Sequence, residues 1–489
     1  MGVGELRKKY PLFIYRGYSY VLKEGNLYIS FDFEVPASPA GGPPDISFHP
    51  KIVIKNISQR DIKRVGDEAL QNFVFHLGLA EMPSYWKATA SPKIIVEAGY
   101  LDKTQINWWH DLFMRGMGQY FYENKIKFTN KNFLTITTAS RVGRAGTVLA
   151  QACARTVPAQ TLVPVGGGKD AIVTYEILKK ALRQVFDSEA QTRGAQGKQK
   201  IQPFVLNPKK EQLAILRIAG ETNPIVVDRE IDSTLLELNR KGYLNGHTPF
   251  SAYLAFLTVS CATLFDYQYI ALSNERSSNE GNVNYLGSIV NHQYSKSWEF
   301  EKKFRAYSKK YLAKDIEYFS FLRPLYELQI AKLFSQYPKY FATFLSCNEA
   351  HKTHSGTRKP AEKWCGKCSK CLFVFASLYP FVGTEQLVNI FGSNLFEDAN
   401  LIPLMEELAG ERKFKPFECV GTTKESLAAF YLSLQKTYPP LPTLLKHFRQ
   451  HIAKKHLHLP QESRQMLKSW NTVHALPLRL EKELKSVLG

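Results

Sequence analysis

The residues best placed to do chemistry lie in one glycine-rich stretch, VGGGKD, at residues 165–170. An apolar run precedes it and an amphipathic helical pattern follows it, so the sequence predicts a strand, a tight loop and a helix. Glycines let backbone N–H groups approach an anion, and a helix N-terminus adds a favourable dipole. We therefore assign this loop to phosphate binding, through Gly166, Gly167, Gly168, Lys169 and Asp170.

Two familiar phosphate-binding patterns fit this loop poorly. A Walker loop requires glycine five residues before Gly168 and a hydroxyl residue after the lysine, but Val163 and Asp170 stand there. A dinucleotide fingerprint can be placed on Gly166, Gly168 and Ala171, but no strand follows that ends in the required acidic residue. An ordinary glycine-rich strand-to-helix turn is the remaining alternative.

The loop resembles the SGGxDS loop of the N-type ATP pyrophosphatases, which cleave ATP between its α- and β-phosphates. Residues 167–170 fill the core of that pattern, whereas Gly166 and Ala171 replace its two serines. The resemblance implies that ATP binds here, with Asp170 as the nearest oxygen ligand for Mg²⁺. Because Ala171 lacks a hydroxyl group, one donor to phosphate is absent.

Cysteines supply a second set of ligands. Cys365, Cys368 and Cys371 recur at two-residue spacing, and Cys347 precedes them. Four thiolates suit a tetrahedral zinc ion, which would be structural because protein ligands fill every position. A thioredoxin-type dithiol uses only two thiols, so it does not explain the set. An iron–sulfur cluster is the alternative, because four cysteines also suit it.

A polar stretch at residues 271–301 combines carboxylates, amides, an arginine and a histidine. It follows a strand pattern, and polar groups at this density on a loop are more often functional than structural. A second polar turn, Asn245-Gly246-His247, precedes an apolar helical pattern. Both segments are candidates for a substrate site.

Strand and helix patterns alternate from residue 162 onward, which predicts a parallel sheet with ligands at the carboxyl ends of its strands. Residues 1–57 instead alternate as strands, with a hairpin turn at Gly25. The expected fold is α/β: a parallel sheet of the ATP pyrophosphatase (HUP-like) type with helices on both faces, preceded by a β-rich α+β N-terminal domain. The expected units are residues 1–150 (β-rich domain), 151–430 (ATP pyrophosphatase-like catalytic domain with a four-cysteine zinc segment at 347–371) and 431–489 (basic helical tail).

The composition of the 489 residues is that of a globular protein with anionic partners. The hydrophobic content is 44% and the net charge is +20. The least charged run, residues 248–265, contains Pro249 and reads as a buried helix rather than a membrane span. No signal segment opens the chain, so we expect a cytoplasmic protein without a transmembrane segment. The seven cysteines do not form a disulfide pattern.

These segments together resemble one family, the bacterial UDP-N-acetyl-muramoyl-L-alanyl-L-glutamate epimerases. The matching stretches are VGGGKD, ELNRKGYLNGH, SNERS, VNHQYSKSWEFE, LRPLYEL, SCN, KWCGKCSKCLFVF, LVNIFGSNL and KPFECVG, between residues 165 and 421. The family's loop usually reads GGGKDS, so Ala171 is the clearest departure. The tail after about residue 431 is not covered.

The resemblance implies a reaction. The family inverts the α-carbon of the terminal L-glutamate in UDP-MurNAc-L-Ala-L-Glu, consumes ATP with Mg²⁺ and supplies D-glutamate for peptidoglycan. A free carboxylate opposes carbanion formation at the neighbouring carbon, whereas a carboxyl-adenylate delocalises the charge. We therefore expect AMP and diphosphate as products, with ATP, Mg²⁺ and structural Zn²⁺ as cofactors.

The resemblance also suggests roles for residues outside the loop. His292 is the first candidate for one of the two proton-transfer groups and His247 a weaker one, because an imidazole titrates near neutral pH. The alternative is that either imidazole only forms a hydrogen bond to the loop. Glu275 is a candidate base or magnesium ligand, and Arg276 a bidentate clamp for a carboxylate. The candidate substrate ligands are Asn274, Arg276, Asn245, Lys296 and Arg323.

Two other interpretations stay open at this stage. A pyrophosphatase-loop enzyme that modifies tRNA or a nucleobase would share the loop, the cysteines and the basic surface, although we expect no nucleic-acid partner. A non-catalytic binding protein is the other, which Ala171 hints at. The basic tail is expected to be a solvated helix or to bind an acidic surface partner.

Overall fold

The computed structural model describes residues 2–38, 44–130, 132–138, 160–189, 201–351, 361–412 and 414–488. The predicted boundary between residues 150 and 151 lies outside this part of the chain. The division into the units 1–150, 151–430 and 431–489 therefore stays a prediction.

The described residues form thirteen strands. In chain order they are β1 Leu12–Lys23, β2 Asn26–Val35, β3 Ile46–Phe48, β4 Lys51–Lys55, β5 Lys93–Val96, β6 Thr135–Thr138, β7 Thr161–Pro164, β8 Ile201–Leu206, β9 Ile225–Glu230, β10 Tyr269–Leu272, β11 Val283–Tyr285, β12 Ser288–Val290 and β13 Glu317–Ser320.

Nineteen α-helices accompany these strands in the described residues. They are α1 Val3–Lys9, α2 Gln59–Val65, α3 Asp67–Trp86, α4 Lys103–Gly116, α5 Gly118–Glu123, α6 Lys169–Glu189, α7 Lys210–Ala219, α8 Ser233–Arg240, α9 Phe250–Leu264, α10 Trp298–Tyr311, α11 Glu327–Phe334, α12 Asn348–His351, α13 Ser369–Leu378, α14 Thr384–Phe391, α15 Ile402–Leu408, α16 Thr423–Lys436, α17 Thr443–His447, α18 Leu459–Lys468 and α19 Leu478–Ser486.

Eleven of the strands form one mixed, mostly parallel sheet. Its order is β13-β10-β7-β8-β9-β4-β2-β1-β5-β6, with β3 paired to β2. The strands from β13 to β9 are all parallel, whereas β4 pairs antiparallel with both β9 and β2. The β-rich N-terminal region thus continues the same sheet as the parallel half. The HUP-like type of that half stays a prediction.

Neighbouring residues on the parallel strands enter two hydrophobic cores. Leu162 and Phe204 lie in the first core, and their successors Val163 and Val205 lie in the second. Helix α9 packs in the first core and α6 in the second. Because successive side chains of a strand point to opposite faces, helices cover both faces of the parallel half, in agreement with the α/β class.

One predicted helix is divided in the structure, and another is found as the sequence pattern predicts. The helical pattern of residues 61–79 predicts one helix, but Gly66, with φ of +84°, separates α2 from α3. Glycine adopts this backbone without steric cost, so it ends one helix and begins the next. The apolar run at residues 248–265 is the buried helix α9, as predicted. In the described part of the chain, no helix has the length and apolar character needed to cross a membrane.

The basic helical tail, residues 431–489, packs its apolar side chains against the second core. Leu480 and Leu484 of α19 are buried there, and α19 contacts α6 while α18 contacts α16 and α11. Part of the tail's positive charge is paired within the chain, as between Lys455 and Glu411. The basic side chains of the tail are mostly exposed, as at Lys446, Arg449 and Lys454, in agreement with a solvated basic face, whereas its apolar residues bury a shared surface. No contact among the described residues supports the expected acidic partner.

Candidate active site

The glycine-rich loop joins β7 to α6 at the carboxyl edge of the parallel strands. Gly167 has φ of +85°, and its carbonyl accepts a hydrogen bond from the Leu345 N–H at 2.9 Å. A Cβ on Gly168 would lie 3.3 Å from the Ser346 Cβ, so the loop packs closely on this neighbouring segment. Helix α6 begins at Lys169. The predicted strand, loop and helix are all present.

A cleft of about 320 Å³ opens at this loop. It lies where the chain order of the parallel strands reverses, between β7 and β10, which is where open α/β sheets bind ligands. Several predicted site residues line it: Gly166, Gly168, Asp170, Asn274, Glu275 and Lys296. Other lining residues were not predicted: Glu327, Ser346, Asn348, Lys370 and Cys419.

Lys169 is buried at one end of the cleft and holds two carboxylates together. Its Nζ donates to Asp170 Oδ1 and to Glu327 Oε2, and Lys370 Nζ lies 3.7 Å from Glu327 Oε1. A buried charge is tolerated only when it is paired, and here ammonium and carboxylate groups alternate. We call these four residues the paired cluster.

The pKa shifts within the paired cluster follow from burial and from these contacts. Burial acts to raise the pKa of Glu327, but the ammonium groups of Lys169 and Lys370 hold it at about 2. Burial acts to lower the pKa of Lys169, but Asp170 and Glu327 raise it above its usual value. Burial and the charge of Glu327 raise the pKa of Asp170. Lys169 therefore stays charged at neutral pH.

Glu275 also lines the cleft, just beyond the end of β10, and is 5% exposed. Its carboxylate accepts no hydrogen bond from the residues that the structure describes. Burial, together with the charges of Glu327 and Asp170, raises its pKa to about 7, although Lys296 opposes the shift. A carboxyl group with this pKa gains and loses a proton near neutral pH, as a general acid or base must.

A cysteine faces the same cleft beside Lys296. Cys419 Sγ lies 3.2 Å from Lys296 Nζ and 3.8 Å from His292 Nε2. Cys419 lines the cleft. His292 is buried and is not among the described residues that line it. The sulfur therefore stands between the imidazole and the cleft.

The two predicted histidines are not near-neutral titrating groups. Burial and the charge of Lys296 lower the pKa of His292 to about 3. Burial, His292 and Lys296 lower the pKa of His247 to about 3 as well, and the two rings lie 5.9 Å apart in an edge-to-face arrangement. Both imidazoles are therefore neutral at pH 7, which removes the premise on which proton transfer was assigned to them.

Two predicted arginine ligands are engaged elsewhere. The fully buried guanidinium of Arg323 donates to Ser278 Oγ at 2.8 Å and to a Glu301 carboxylate oxygen at 3.0 Å, and also to the Glu275 carbonyl. It therefore fixes the loop that carries Glu275. Arg276 stacks 4.3 Å from the Tyr326 ring centroid and donates to Ser469 in the tail.

The two predicted amide ligands lie in different places. Asn274 lines the cleft and donates to Ser320 Oγ at 3.1 Å. Asn245 is exposed, and its carbonyl accepts a hydrogen bond from Asn124. Among the described residues the cleft thus includes Asn274 but not Asn245.

The four predicted cysteines come together beside the cleft. The ligand atoms of Cys347, Cys365, Cys368 and Cys371 all lie within 4.8 Å of one another. Cys371 Sγ lies 3.6 Å from Cys365 Sγ and 3.5 Å from Cys368 Sγ. A tetrahedron with metal–sulfur bonds of about 2.3 Å has edges of about 3.8 Å, so this set can hold one structural metal ion.

The cysteine site also positions cleft residues. Lys370 lies between Cys368 and Cys371, and Ser346 and Asn348 flank Cys347. A metal that fixes the cysteines therefore fixes three side chains of the cleft.

Comparison with known sequences decides the family. The family description "MurL N-terminal domain" matches residues 5–321, and "MurL C-terminal domain" matches residues 343–462. The chain belongs to this epimerase family. A UDP-N-acetyl-alpha-D-muramoyl-L-alanyl-L-glutamate epimerase from Xanthomonas oryzae pv. oryzae (strain MAFF 311018) is 33% identical over 364 residues, 74% of each chain.

Two further epimerase relatives carry the same name. The protein from Micromonospora sp. (strain ATCC 39149 / NRRL 15099 / SCC 1413) is 35% identical, over 71% of this chain and 72% of its own. The protein from Salinispora tropica (strain ATCC BAA-916 / DSM 44818 / JCM 13857 / NBRC 105044 / CNB-440) is 32% identical, over 71% of this chain and 70% of its own. No solved structure gives a significant match. The resemblance predicted from the sequence is confirmed.

The cleft of this epimerase family member is built from both family regions. The glycine-rich loop and Glu275 lie in the first match, and the cysteine site and Cys419 in the second. Glu327 lies in the interval between the two matches and joins the paired cluster. The cleft therefore forms at the junction of the two family regions.

Three residues that line the cleft were not predicted as site residues, although each lies in a sequence segment that resembles the family. Glu327 stands in LRPLYEL, Lys370 in KWCGKCSKCLFVF and Cys419 in KPFECVG. The sequence feature that could have identified them is a charged side chain or a thiol inside a family segment to which no role had been assigned.

Proposed function

We propose that the chain is an ATP-dependent epimerase that inverts the terminal L-glutamate of UDP-MurNAc-L-Ala-L-Glu through a carboxyl-adenylate, for peptidoglycan precursor synthesis. The observation that carries the proposal is the meeting of a phosphate-type loop and a near-neutral carboxyl group, Glu275, in one cleft. The names of the relatives support the substrate. Because the substrate is UDP-linked and ATP is consumed, the reaction belongs in the cytoplasm.

The parallel half supports an ATP pyrophosphatase (HUP-like) fold for this site. Its glycine-rich loop follows β7, and the chain order of the strands reverses between β7 and β10. The N-terminus of α6 offers N–H groups and a positive dipole end to phosphate. Lys169 and Lys370 add two ammonium charges at the same end. ATP therefore fits here with its phosphates at the paired cluster.

Magnesium fits the same end. Mg²⁺ prefers carboxylate oxygens together with substrate phosphates, and Asp170 lines the cleft beside the loop. When Mg²⁺ is bound it neutralises phosphate charge. The role of Asp170 is then to hold the ion, and the role of Lys169 is to keep Asp170 and Glu327 in place before ATP arrives.

The proposed first step uses this arrangement to activate the substrate. An oxygen of the glutamate carboxylate next to the α-carbon attacks the α-phosphorus of ATP, and the bond to the β-phosphate breaks, so diphosphate leaves. The resulting acyl-adenylate lets the carbonyl accept the charge that develops when the α C–H bond breaks. Water finally attacks the acyl carbon and AMP leaves with the inverted product.

Glu275 supplies one proton-transfer group in this proposal. Its pKa of about 7 allows both protonation states at neutral pH, and Arg323 fixes its loop through the Glu275 carbonyl. Asn274, its neighbour in the cleft, is proposed to bind substrate, as is Lys296. Zinc at the four cysteines is proposed to be structural.

The test is the reaction in deuterated water. Purified protein with UDP-MurNAc-L-Ala-L-Glu, ATP and Mg²⁺ should give the D-glutamyl isomer with deuterium at the α-carbon, together with AMP and diphosphate. Free L-glutamate should be a poor substrate, because the UDP-muramoyl part supplies binding energy that positions the reacting carbon. Inversion without ATP would contradict the proposal. AMP formation only in the presence of RNA would favour an RNA-modifying enzyme.

A further inference from the structure

Cys419 is placed in the cleft by a segment that is anchored on both sides. Asn282 Nδ2 donates to the Pro416 carbonyl at 2.7 Å, and the Lys370 N–H donates to Glu418 Oε2 at 2.6 Å. These bonds hold residues 416–418 between the β11–β12 hairpin and the start of α13. The thiol is therefore fixed at the cleft and does not project from a free loop.

The same anchors determine the tautomer of His292. The Nδ2 group of Asn282 donates to Pro416, so Asn282 Oδ1 is the acceptor that faces His292 Nδ1 at 3.1 Å. His292 Nδ1 must then carry the proton, because an acceptor can bond only to a donor. In a neutral imidazole the other nitrogen, Nε2, has the lone pair, and Nε2 is the atom that faces Cys419 Sγ.

Lys296 completes the environment of the sulfur. Its Nζ lies within hydrogen-bonding distance of Cys419 Sγ, and the facing sulfur is the main cause of the raised pKa of Lys296. A thiolate is stabilised by a neighbouring ammonium group, and the neutral imidazole offers Nε2 as a hydrogen-bond acceptor to the thiol without taking its proton. Cys419 thus contacts a hydrogen-bond acceptor and a positive charge, and it also lines the cleft.

We propose that Cys419 is a catalytic residue, the second proton-transfer group that works with Glu275 on the opposite face of the substrate α-carbon. This inference rests on the proposed function and extends it. His292 then positions the sulfur, and Lys296 stabilises its charge in addition to the proposed contact of Lys296 with substrate. An independent observation supports a substrate site here. The carboxylate of Glu275 is buried, has no hydrogen-bonding partner among the described residues and lines the same cleft.

The proton balance closes with these two groups alone. The Cys419 thiolate takes the α-proton of the activated L-glutamyl group and becomes a thiol, and the electron pair of the broken C–H bond moves into the acyl carbonyl. The Glu275 carboxyl group gives its proton to the other face and becomes a carboxylate. Exchange with solvent then restores the thiolate and the carboxyl group.

The test compares Cys419→Ala with Cys261→Ala in deuterated water. Cys261 is a buried cysteine of α9 in the first core, so it is the matched control. For Cys419→Ala we expect inversion to fall about 100-fold or more, while AMP and diphosphate still form. In this variant only one of the two epimers, L or D, should still exchange its α-hydrogen with solvent. The reason is that the remaining group, Glu275, reaches only one face of the α-carbon. In Glu275→Gln, the α-hydrogen of the other epimer should exchange with solvent.

The role of Lys296 has its own readout. Alkylation of Cys419 by iodoacetamide, followed by mass spectrometry against pH, reports the thiolate directly and does not require turnover. Lys296→Met should move the midpoint of this alkylation profile to higher pH, because the stabilising charge is lost.

Several outcomes would overturn the assignment. Near wild-type inversion by Cys419→Ala would do so, as would exchange of both epimers, or an unchanged alkylation profile in Lys296→Met. If Cys419→Ala fails to fold, Cys419→Ser keeps the shape, and its retention of full inversion would have the same meaning. Absence of both AMP and inversion in the wild type would instead refute the proposed function, and with it this role.

Discussion

The two ends of the cleft handle charge in opposite ways. At the loop end, Lys169, Asp170, Glu327 and Lys370 are paired with one another. Elsewhere in the cleft, the Glu275 carboxylate accepts no hydrogen bond from the described residues, and Cys419 faces the cleft beside Lys296.

The difference indicates a division of labour. Paired charges are fixed in position, which suits the binding of a highly charged ligand without reorganisation. An unpaired buried carboxyl group has a shifted pKa, which suits proton transfer. Changes at the loop end should therefore stop activation of the substrate, and changes at the other end should stop only its inversion.

The largest effect is expected from loss of the metal at the cysteine site. Cys368→Ser should remove the ion, unfold the segment around it and displace Lys370, Ser346 and Asn348, so both AMP formation and inversion should be lost. Elemental analysis of the wild type should show zinc, and Cys261→Ala should retain it. Visible-range absorbance with iron in place of zinc would contradict the zinc assignment.

Asp170→Ala should disable the loop end alone. We expect AMP release to fall by about 100-fold to 1,000-fold, because an electrostatic contact to the transferring phosphoryl group is removed. Thermal melting should remain cooperative. Glu176→Ala, on the same helix but outside the described lining of the cleft, should keep AMP release. Unchanged turnover of Asp170→Ala would refute the magnesium assignment.

Glu275→Gln should change how the free energy of unfolding depends on pH, because the folded state raises the pKa of Glu275. The folded pKa of about 7 lies above the ordinary value of 4.5, so the folded state favours the protonated carboxyl group. Its stabilising contribution is complete below pH 4.5 and is lost as the pH rises through 7. The variant should therefore gain free energy of unfolding relative to the wild type between pH 5 and pH 8, by at most about 3 kcal/mol. Denaturant titrations at both pH values measure this, and a difference independent of pH would exclude the shift.

Arg276→Ala should give the smallest effect. Its guanidinium stacks on Tyr326 and bonds to Ser469, so we expect a loss of about 1 kcal/mol of stability and little change in KM. Ser469→Ala is the matched variant on the other side of the contact. A tenfold rise in the KM for the UDP-linked substrate in Arg276→Ala alone would restore the sequence-based assignment of this arginine to substrate binding.

The loop and the cysteine site were predictable because their signals are local. VGGGKD lies between a strand pattern and a helix pattern, and three of the four cysteines lie within one turn and the first turn of α13. Glycine flexibility and thiolate spacing are properties of neighbouring residues, so a short stretch of sequence contains them.

The other end of the cleft was not predictable in the same way. Cys419 meets Lys296 and His292 only because residues 416–418 are anchored to Asn282 and to the start of α13. Arg323 looks like a ligand in the sequence, but the fold surrounds it with acceptors from several segments. The pairing of β4 with β9, which joins two predicted domains into one sheet, is also long-range and has no local signal.

The packing of α19 against α6 has a consequence for synthesis of the protein on the ribosome. Helix α6, which begins at the end of the glycine-rich loop, leaves the ribosome long before α19, whose Leu480 and Leu484 complete the core around it. Until then an apolar surface of α6 stays uncovered and is available to chaperones. An incomplete nascent chain should therefore lack the completed core that supports the glycine-rich loop.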